Sequence, residues 1–244
     1  MRVGLVVECQ KDGPDAAVYS YLAERVPGIE IVKPPICMGN KRNLLGSADG
    51  TVPGAGIPVS DLFVQGKCDR VLVIWDLYPA SWEDGQTQVS VAADMVKLQT
   101  SLANAGVSHP CVYPICVEAM METWFLADGN ALSAVARIPK KRPKIKGEKS
   151  PSTYREKTKD RLTAKFFGNK HSKLSEYNDY KHALAIASEL DVAVVSMTCP
   201  QITDFFDSLT QNPCAPPLAW QVPAAAAALV KHKVRYPGTD WQKW

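Results

Sequence analysis

The chain has 244 residues, 46 % of them hydrophobic, enough to bury a sizeable core as one domain with an appendage or as two small domains. No stretch approaches the ~20 consecutive apolar residues that cross a bilayer, and the first residues lack a basic segment followed by a longer apolar one, so a cytoplasmic protein with no membrane partner is expected. The formal charge of +3 hides two unlike parts: Arg137 to Lys173 holds fourteen Lys or Arg against Glu148, Glu156 and Asp160, a balance of +11 that leaves −8 for the rest.

In chain order, Arg2 to Glu8 reads as a buried strand that delivers a carboxylate to its own C-terminal edge. Pro14 to Val26 has helical spacing, with Val18, Tyr21, Leu22 and Val26 on one side and Pro14 suited to a first turn. Ile29 to Lys33 then reads as a second strand, making a βαβ unit with a right-handed crossover. Pro34 to Pro58 is rich in Gly, Pro, Asn and Ser and is expected as a long loop, with Gly54-Ala-Gly56 as turn chemistry. A short helix over Pro58 to Gln65 leads to Arg70–Asp76, an apolar strand that again ends in an acid. Gln86 to Ala105 repeats apolar residues at helical spacing, and Cys111 to Val117 is a third apolar strand. The spacing predicts a helix over Glu118 to Leu132, with Glu118 and Glu122 stacked as i,i+4 neighbours. Pro139, Pro143 and Pro151 argue against regular helix until about Ser152. Helices are expected at Ser152–Lys165, Tyr180–Leu190 and Gln201–Leu209, with a short strand at Val192–Met197. From Gln211 onward prolines and the run Ala224–Ala228 indicate an extended arm ending in a short helix. The expected units are thus 1–136, 137–211 and 212–244.

Open α/β sheets place ligands at the carboxyl ends of their strands. Glu8 and Asp76 end two strands, and Glu118 and Glu122 follow a third, so these acids can converge. Such clustering is costly unless a cation neutralises it, and oxygen-only ligands suit Mg²⁺ or Mn²⁺. The seven cysteines are odd in number and form no C-x-x-C pair, which argues against a zinc ribbon or a disulfide scaffold and favours reduced, buried thiols. The four histidines are scattered without metal-binding spacing. The basic run, with Arg137, Lys140, Lys141, Arg142, Lys144, Lys146 and Lys149 at its head, has the electrostatic footprint of a nucleic-acid partner. The same run also reads as a solvated loop, because like charges repel and resist packing.

The segments Val7-Glu8-Cys9, Ile74-Trp75-Asp76 and Glu122-Thr-Trp-Phe-Leu-Ala-Asp128 occur in that order, followed by Tyr180-Lys181-His182-Ala183, Cys199-Pro200 and Phe205-Phe206. This order resembles the Toprim fold of topoisomerases, primases and overcoming-lysogenization-defect nucleases, and more closely the small stand-alone Toprim-like proteins of bacteria. The resemblance spans about Arg2 to Leu209. It implies an α/β, Toprim- or Rossmann-like fold, a mainly parallel sheet flanked by helices, with a C-terminal helical extension. It also implies Mg²⁺-dependent cleavage of nucleic acid, DNA first, with an ATPase partner in defence against foreign DNA. Carried over residue by residue, Glu8, Asp76 and Glu122 would be catalytic, and Glu8, Asp76, Glu122 and Asp128 would hold the metal. Cys9 stands where the family has glycine, and the family's Asp-x-Asp pair reads Asp76-Leu77-Tyr78 here. Asp84 or Glu83, from the loop that follows, is therefore expected to complete the site. The alternative is an inactive Toprim-like module that binds nucleic acid or protein.

Overall fold

The computed structural model describes residues 1–47, 49–78, 90–211 and 214. Five parallel strands form the sheet: β1 (Arg2–Val7), β2 (Glu30–Ile31), β3 (Ile36–Cys37), β4 (Arg70–Asp76) and β5 (Val112–Val117). The order is β2-β1-β4-β5, and β3 pairs with the end of β1 on the side where β2 pairs with its start. Side chains alternate across the strands. Val3, Leu5, Val7, Leu72, Ile74, Tyr113, Ile115 and Val117 face one core, and Val6, Val71, Val73, Trp75 and Val112 face the other. Burial on both faces is why these strands read as unbroken apolar runs.

The second core is covered by α2 (Lys41–Leu45), α3 (Gly56–Val64) and α4 (Val91–Asn104). The first is covered by α1 (Pro14–Glu24), α5 (Glu122–Ala127), α6 (Gly129–Val135), α7 (Thr158–Phe167), α8 (Asp179–Glu189), α9 (Val192–Ser196) and α10 (Gln201–Thr210). The fold is thus α/β and Rossmann-like, a parallel sheet between two helical layers. Residues 137–211 pack onto the same core as the sheet, so the boundary at 136/137 marks a change of composition.

Several elements differ from the sequence expectation, each for a local reason. The stretch expected as a loop before Pro58 contains β3 and α2, whose Asn40 side chain accepts from Asn43 N at 2.8 Å. The single helix expected over Glu118 to Leu132 is broken twice. Ala119 takes a left-handed φ of 69°, and Asp128 interrupts the chain to cap α6, accepting from the backbone N–H groups of Asn130 and Ala131. Glu118 and Glu122 therefore do not stack, and the exposed Glu118 accepts from Gln201 Nε2 at 3.2 Å. Val192–Ser196 is helix α9 and not a strand, because Asp191 caps it. The Ser152–Lys165 helix begins instead as a 3₁₀ segment, Pro151–Lys157, with Arg155 at φ 49°, and is α-helical only from Thr158.

Residues 137–150 form a strap across α5 and α6. Ile138 and Ile145 are buried, Ile145 N donates to Ser133 Oγ at 2.9 Å, and Glu148 N donates to Leu126 O at 2.8 Å. Gly147 and Gly129 let the two backbones touch: a Cβ on Gly129 would strike the Ile145 carbonyl, and one on Gly147 the Ala127 carbonyl. The basic run is thus a loop whose backbone packs, against the expectation that it resists packing, while Arg137, Lys140, Lys141, Arg142, Lys144, Lys146 and Lys149 project exposed to solvent from it. The end of α10 and the residues just after it are fastened too. The buried Arg70 guanidinium donates to the carbonyls of Ser208 and Gln211. Cys111 is bonded to Cys214, so these two are not the reduced thiols expected. Of the expected C-terminal arm, residues 212, 213 and 215–244 lie outside the described residues, as do Glu83 and Asp84. No described helix is long and apolar enough to cross a membrane.

Candidate functional site

From β1 the chain passes through α1 to β2 on one side, whereas β4 and β5 extend the sheet on the other. The order thus reverses between β1 and β4, and the crevice beyond their carboxyl ends is where such sheets bind ligands. Glu8 follows β1 and Asp76 ends β4. Glu8 N donates to Ile74 O and Asp76 N donates to Glu8 Oε2, each at 3.1 Å. Before them opens a cleft of about 280 Å³, lined in part by Glu8, Asp15, Asp76, Tyr78, Lys159 and Asp179. Asp15 escaped the sequence reading. It sits in the first turn of α1, which Pro14 starts, and the helix after an acid-ended strand returns its first turn to that strand's edge.

The carboxylates are electrostatically frustrated. Burial pushes Glu8 up to about 7, with the Lys41 charge and the Asp76 N–H pulling it back. Burial and then repulsion from Glu122 push Asp15 up to about 7. Asp76 rises well above the usual range through burial and the charges of Asp15, Glu8 and Glu122. Among the described residues the Asp15 and Asp76 side chains have no hydrogen-bond or ion-pair partner.

Glu122 lies deeper, 1 % exposed, and is treated differently. Lys159 Nζ stands 3.5 Å from it and 2.6 Å from Asp179 Oδ2, and Tyr177 donates its hydroxyl to Glu122 Oε1 at 3.3 Å. Burial raises Glu122 while Lys159 opposes the rise. On the opposite side of the sheet the buried Lys41 donates to Leu77 O at 2.6 Å and pairs with Asp94 at 3.4 Å, and Asp94 also accepts from Trp75 Nε1 at 3.2 Å. This tie joins the end of β4 to α2 and α4. At the mouth, the Arg155 guanidinium lies 5.5 Å over the Tyr78 ring.

Of the residues singled out from sequence, Glu8 and Asp76 meet in the cleft and Glu122 reaches it through Lys159. Asp128 does not: one oxygen caps α6 and the other accepts from Asp191 N at 2.9 Å, joining α6 to α9. Among the described residues no three His, Cys, Asp or Glu side chains form a ready metal cage. The donor set of Glu8, Asp15 and Asp76 is nonetheless oxygen-only and mutually repelling, a chemistry that a hard divalent cation relieves. Lys159 was read from sequence as one of fourteen cations in a basic block, and its role beside Glu122 is visible only in three dimensions.

A second cleft, about 570 Å³, is lined by Arg137, Lys173, Lys181, His182 and Glu189 among others. Among the described residues Arg137, Lys173 and Lys181 have no ion-pair partner. Burial, followed by the Lys181 charge, holds His182 below its ordinary range.

No curated protein and no solved structure matches the chain. One family model, described as a domain of unknown function (DUF4276), matches residues 29–210, from the eve of β2 to the end of α10 and including Asp76, Glu122 and Lys159 but not Glu8 or Asp15. That match covers well over half of the sequence, and the chain belongs to the DUF4276 family.

Proposed function

We propose that the protein is a divalent-metal-dependent phosphodiesterase acting on nucleic acid, DNA first, with Mg²⁺ or Mn²⁺ held by Glu8, Asp15 and Asp76. The observation that carries this reading is the pair of unpartnered carboxylates, Asp15 and Asp76, beside Glu8 at the switch point of the sheet. A bound cation would stabilise negative charge on the scissile phosphate and lower the pKa of an attacking water. Glu8 has its Oε2 engaged by Asp76 N, which leaves Oε1 as the oxygen that would meet the cation. Lys159 and Arg155 place positive charge at the mouth, where a phosphate can be oriented. The exposed cations of the strap, from Arg137 to Lys149, supply backbone affinity without reading bases. The resemblance to Toprim-like nucleases adds an ATPase as partner.

A second reading, a non-catalytic binding subunit, is favoured by Tyr78 in the place of the family's second aspartate, lying under Arg155, and by Lys41 and Lys159 reaching the acids. Plasmid nicking with Mg²⁺ or Mn²⁺, by the protein alone and with an ATPase encoded beside it, separates the two. Wild type is expected to nick, and Glu8→Ala and Asp15→Asn to lose the activity. DNA binding without cleavage under either metal would leave the binding subunit.

A further inference from the structure

Two thiols stand together beside the acid cleft, Cys9 in its lining and Cys37 against Cys9. β3 pairs with the end of β1, Val7 opposite Cys37, and Cys9 lies two residues beyond Val7. Cys9 Sγ donates to Cys37 Sγ at 3.4 Å. The surrounding backbone is well tied: Met38 N to Val7 O at 2.8 Å, Gly39 N to Cys9 O at 2.9 Å, and Gln10 Nε2 to Gly39 O at 2.6 Å. Cys9, Gln10, Gly39 and Asn40 all line the cleft. Cys37 is half-buried, whereas Cys9 is almost fully buried. Among the described residues Cys68, Cys116 and Cys199 have no thiol neighbour.

We propose that Cys9 and Cys37 are a peroxide-reactive dithiol that closes to a disulfide in the cleft wall. Cys37, as thiolate, attacks one oxygen of hydrogen peroxide; the O–O bond breaks, a sulfenic acid forms, and the departing hydroxide leaves as water with a proton. The Cys9 sulfur then attacks the Cys37 sulfur, the S–O bond breaks, a second water leaves with the Cys9 proton, and the S–S bond forms. Two thiols are oxidised and one peroxide is reduced to two waters. The order of attack follows from exposure. The hydrogen bond from Cys9 also holds the Cys37 thiol below its ordinary range, which favours the thiolate. Closure draws the sulfurs in from 3.4 Å to the bonding distance of about 2.05 Å, and so pulls the residue next to Glu8 toward β3. The proposal does not depend on whether the cleft holds a metal.

The test is peptide mass mapping of the full chain after treatment with stoichiometric hydrogen peroxide and quenching with an alkylating agent. A crosslinked peptide pair joining Cys9 to Cys37, lighter by two hydrogens and released by dithiothreitol, is expected. Cys37→Ser should abolish it and leave Cys9 unmodified. Cys9→Ser should leave Cys37 as a sulfenic acid that dimedone traps and that a second equivalent of peroxide carries to the sulfinic acid, and Cys68→Ser should change nothing. Cys37 recovered from oxidised wild type as a free thiol, as a sulfinic acid with Cys9 free, or bonded to any other cysteine overturns the proposal.

Discussion

The acids of the cleft fall into two groups that the chain treats in opposite ways. Glu122 and Asp179 have Lys159 between them, and Glu122 also accepts the Tyr177 hydroxyl. Among the described residues Glu8, Asp15 and Asp76 have no cation at ion-pair distance: Lys41, whose charge lowers Glu8, is held by Leu77 O and Asp94, and Lys159, whose charge lowers Asp15, is held by Glu122 and Asp179. Glu122 is more deeply buried than Glu8 and burial raises it too, but Lys159 opposes that rise from 3.5 Å, whereas Glu8 and Asp15 are pushed up to about 7 with no cation that close. The contrast teaches that depth alone does not decide the state of a carboxylate; the counter-charge does. The proposed function accordingly places its cation with Glu8, Asp15 and Asp76.

The largest expected effect follows directly. Titration calorimetry with Mn²⁺ should show binding to wild type and none to a Glu8→Ala, Asp76→Ala double variant, while Glu122→Gln stays within about 10-fold of wild type. Equal binding by the double variant would remove the distinction between the groups.

Next comes stability. Lys159→Met removes the counter-charge from the buried Glu122 and should lower unfolding free energy by about 1–3 kcal/mol in a denaturant titration, less than for a fully buried pair because Lys159 is partly exposed. Adding Glu122→Gln should recover part of the loss; a double variant no better than the single would mean that the two side chains are not coupled.

A smaller effect separates the groups by pH. Because Glu8 and Asp15 have raised pKa values in the fold, the folded protein holds more protons than the unfolded chain between about pH 4 and 7. The contribution of this pair to stability therefore falls as pH rises through that window. Metal-free protein should melt higher at about pH 5.5 than at about pH 7.5, and Glu8→Gln with Asp15→Asn should flatten the difference. Asp179, held below its ordinary range by Lys159 despite partial burial, acts in the other direction and only in stronger acid. A melting temperature that rises between the two pH values, unaltered by the variants, would show that the acids already have their cation.

The smallest effect concerns the cations that have no acid. Replacing Lys140, Lys141, Arg142 and Lys144 by Ser should flatten the salt dependence of DNA binding by about one unit of log–log slope per lost phosphate contact, alike on unrelated duplexes. An unchanged slope, with a reduced one for Lys173 and Lys181 replaced by Ser, would move the contact from the strap to the second cleft.

The central strands were legible because burial on both faces leaves unbroken apolar runs, and β4 occupies the expected Arg70–Asp76. Strand β3 and helix α2 were not, since two and five residues are too few for a period to register. An apolar run as short as Val192–Ser196 cannot be told from a strand by pattern; its Asp191 cap was the signal that would have decided it. Asp128 shows the converse. A motif match made it a metal candidate, although an Asp just ahead of a helical stretch has the ordinary chemistry of an N-cap. Glu8 and Asp76 could be named because their strands carry them to one edge. Asp15, Lys159 and Asp179 come from helices far apart in sequence, and only packing brings them to the same cleft.

The bond between Cys111 and Cys214 gives the cleft a chain topology. Cys111 immediately precedes β5, and the two cysteines are 103 positions apart, so one covalent loop encloses β5, the strap and α5 to α10. Glu8, Asp15, Lys41 and Asp76 precede that loop, whereas Glu122, Lys159, Tyr177 and Asp179 lie within it. The cleft is a seam between a free stretch of polymer and a ring. Closing a ring of that size removes disorder from the unfolded chain worth about 4–5 kcal/mol in the chain-entropy picture. The bond sits at the amino end of β5, at the opposite edge of the sheet from the acids, so it closes the ring without touching the cleft.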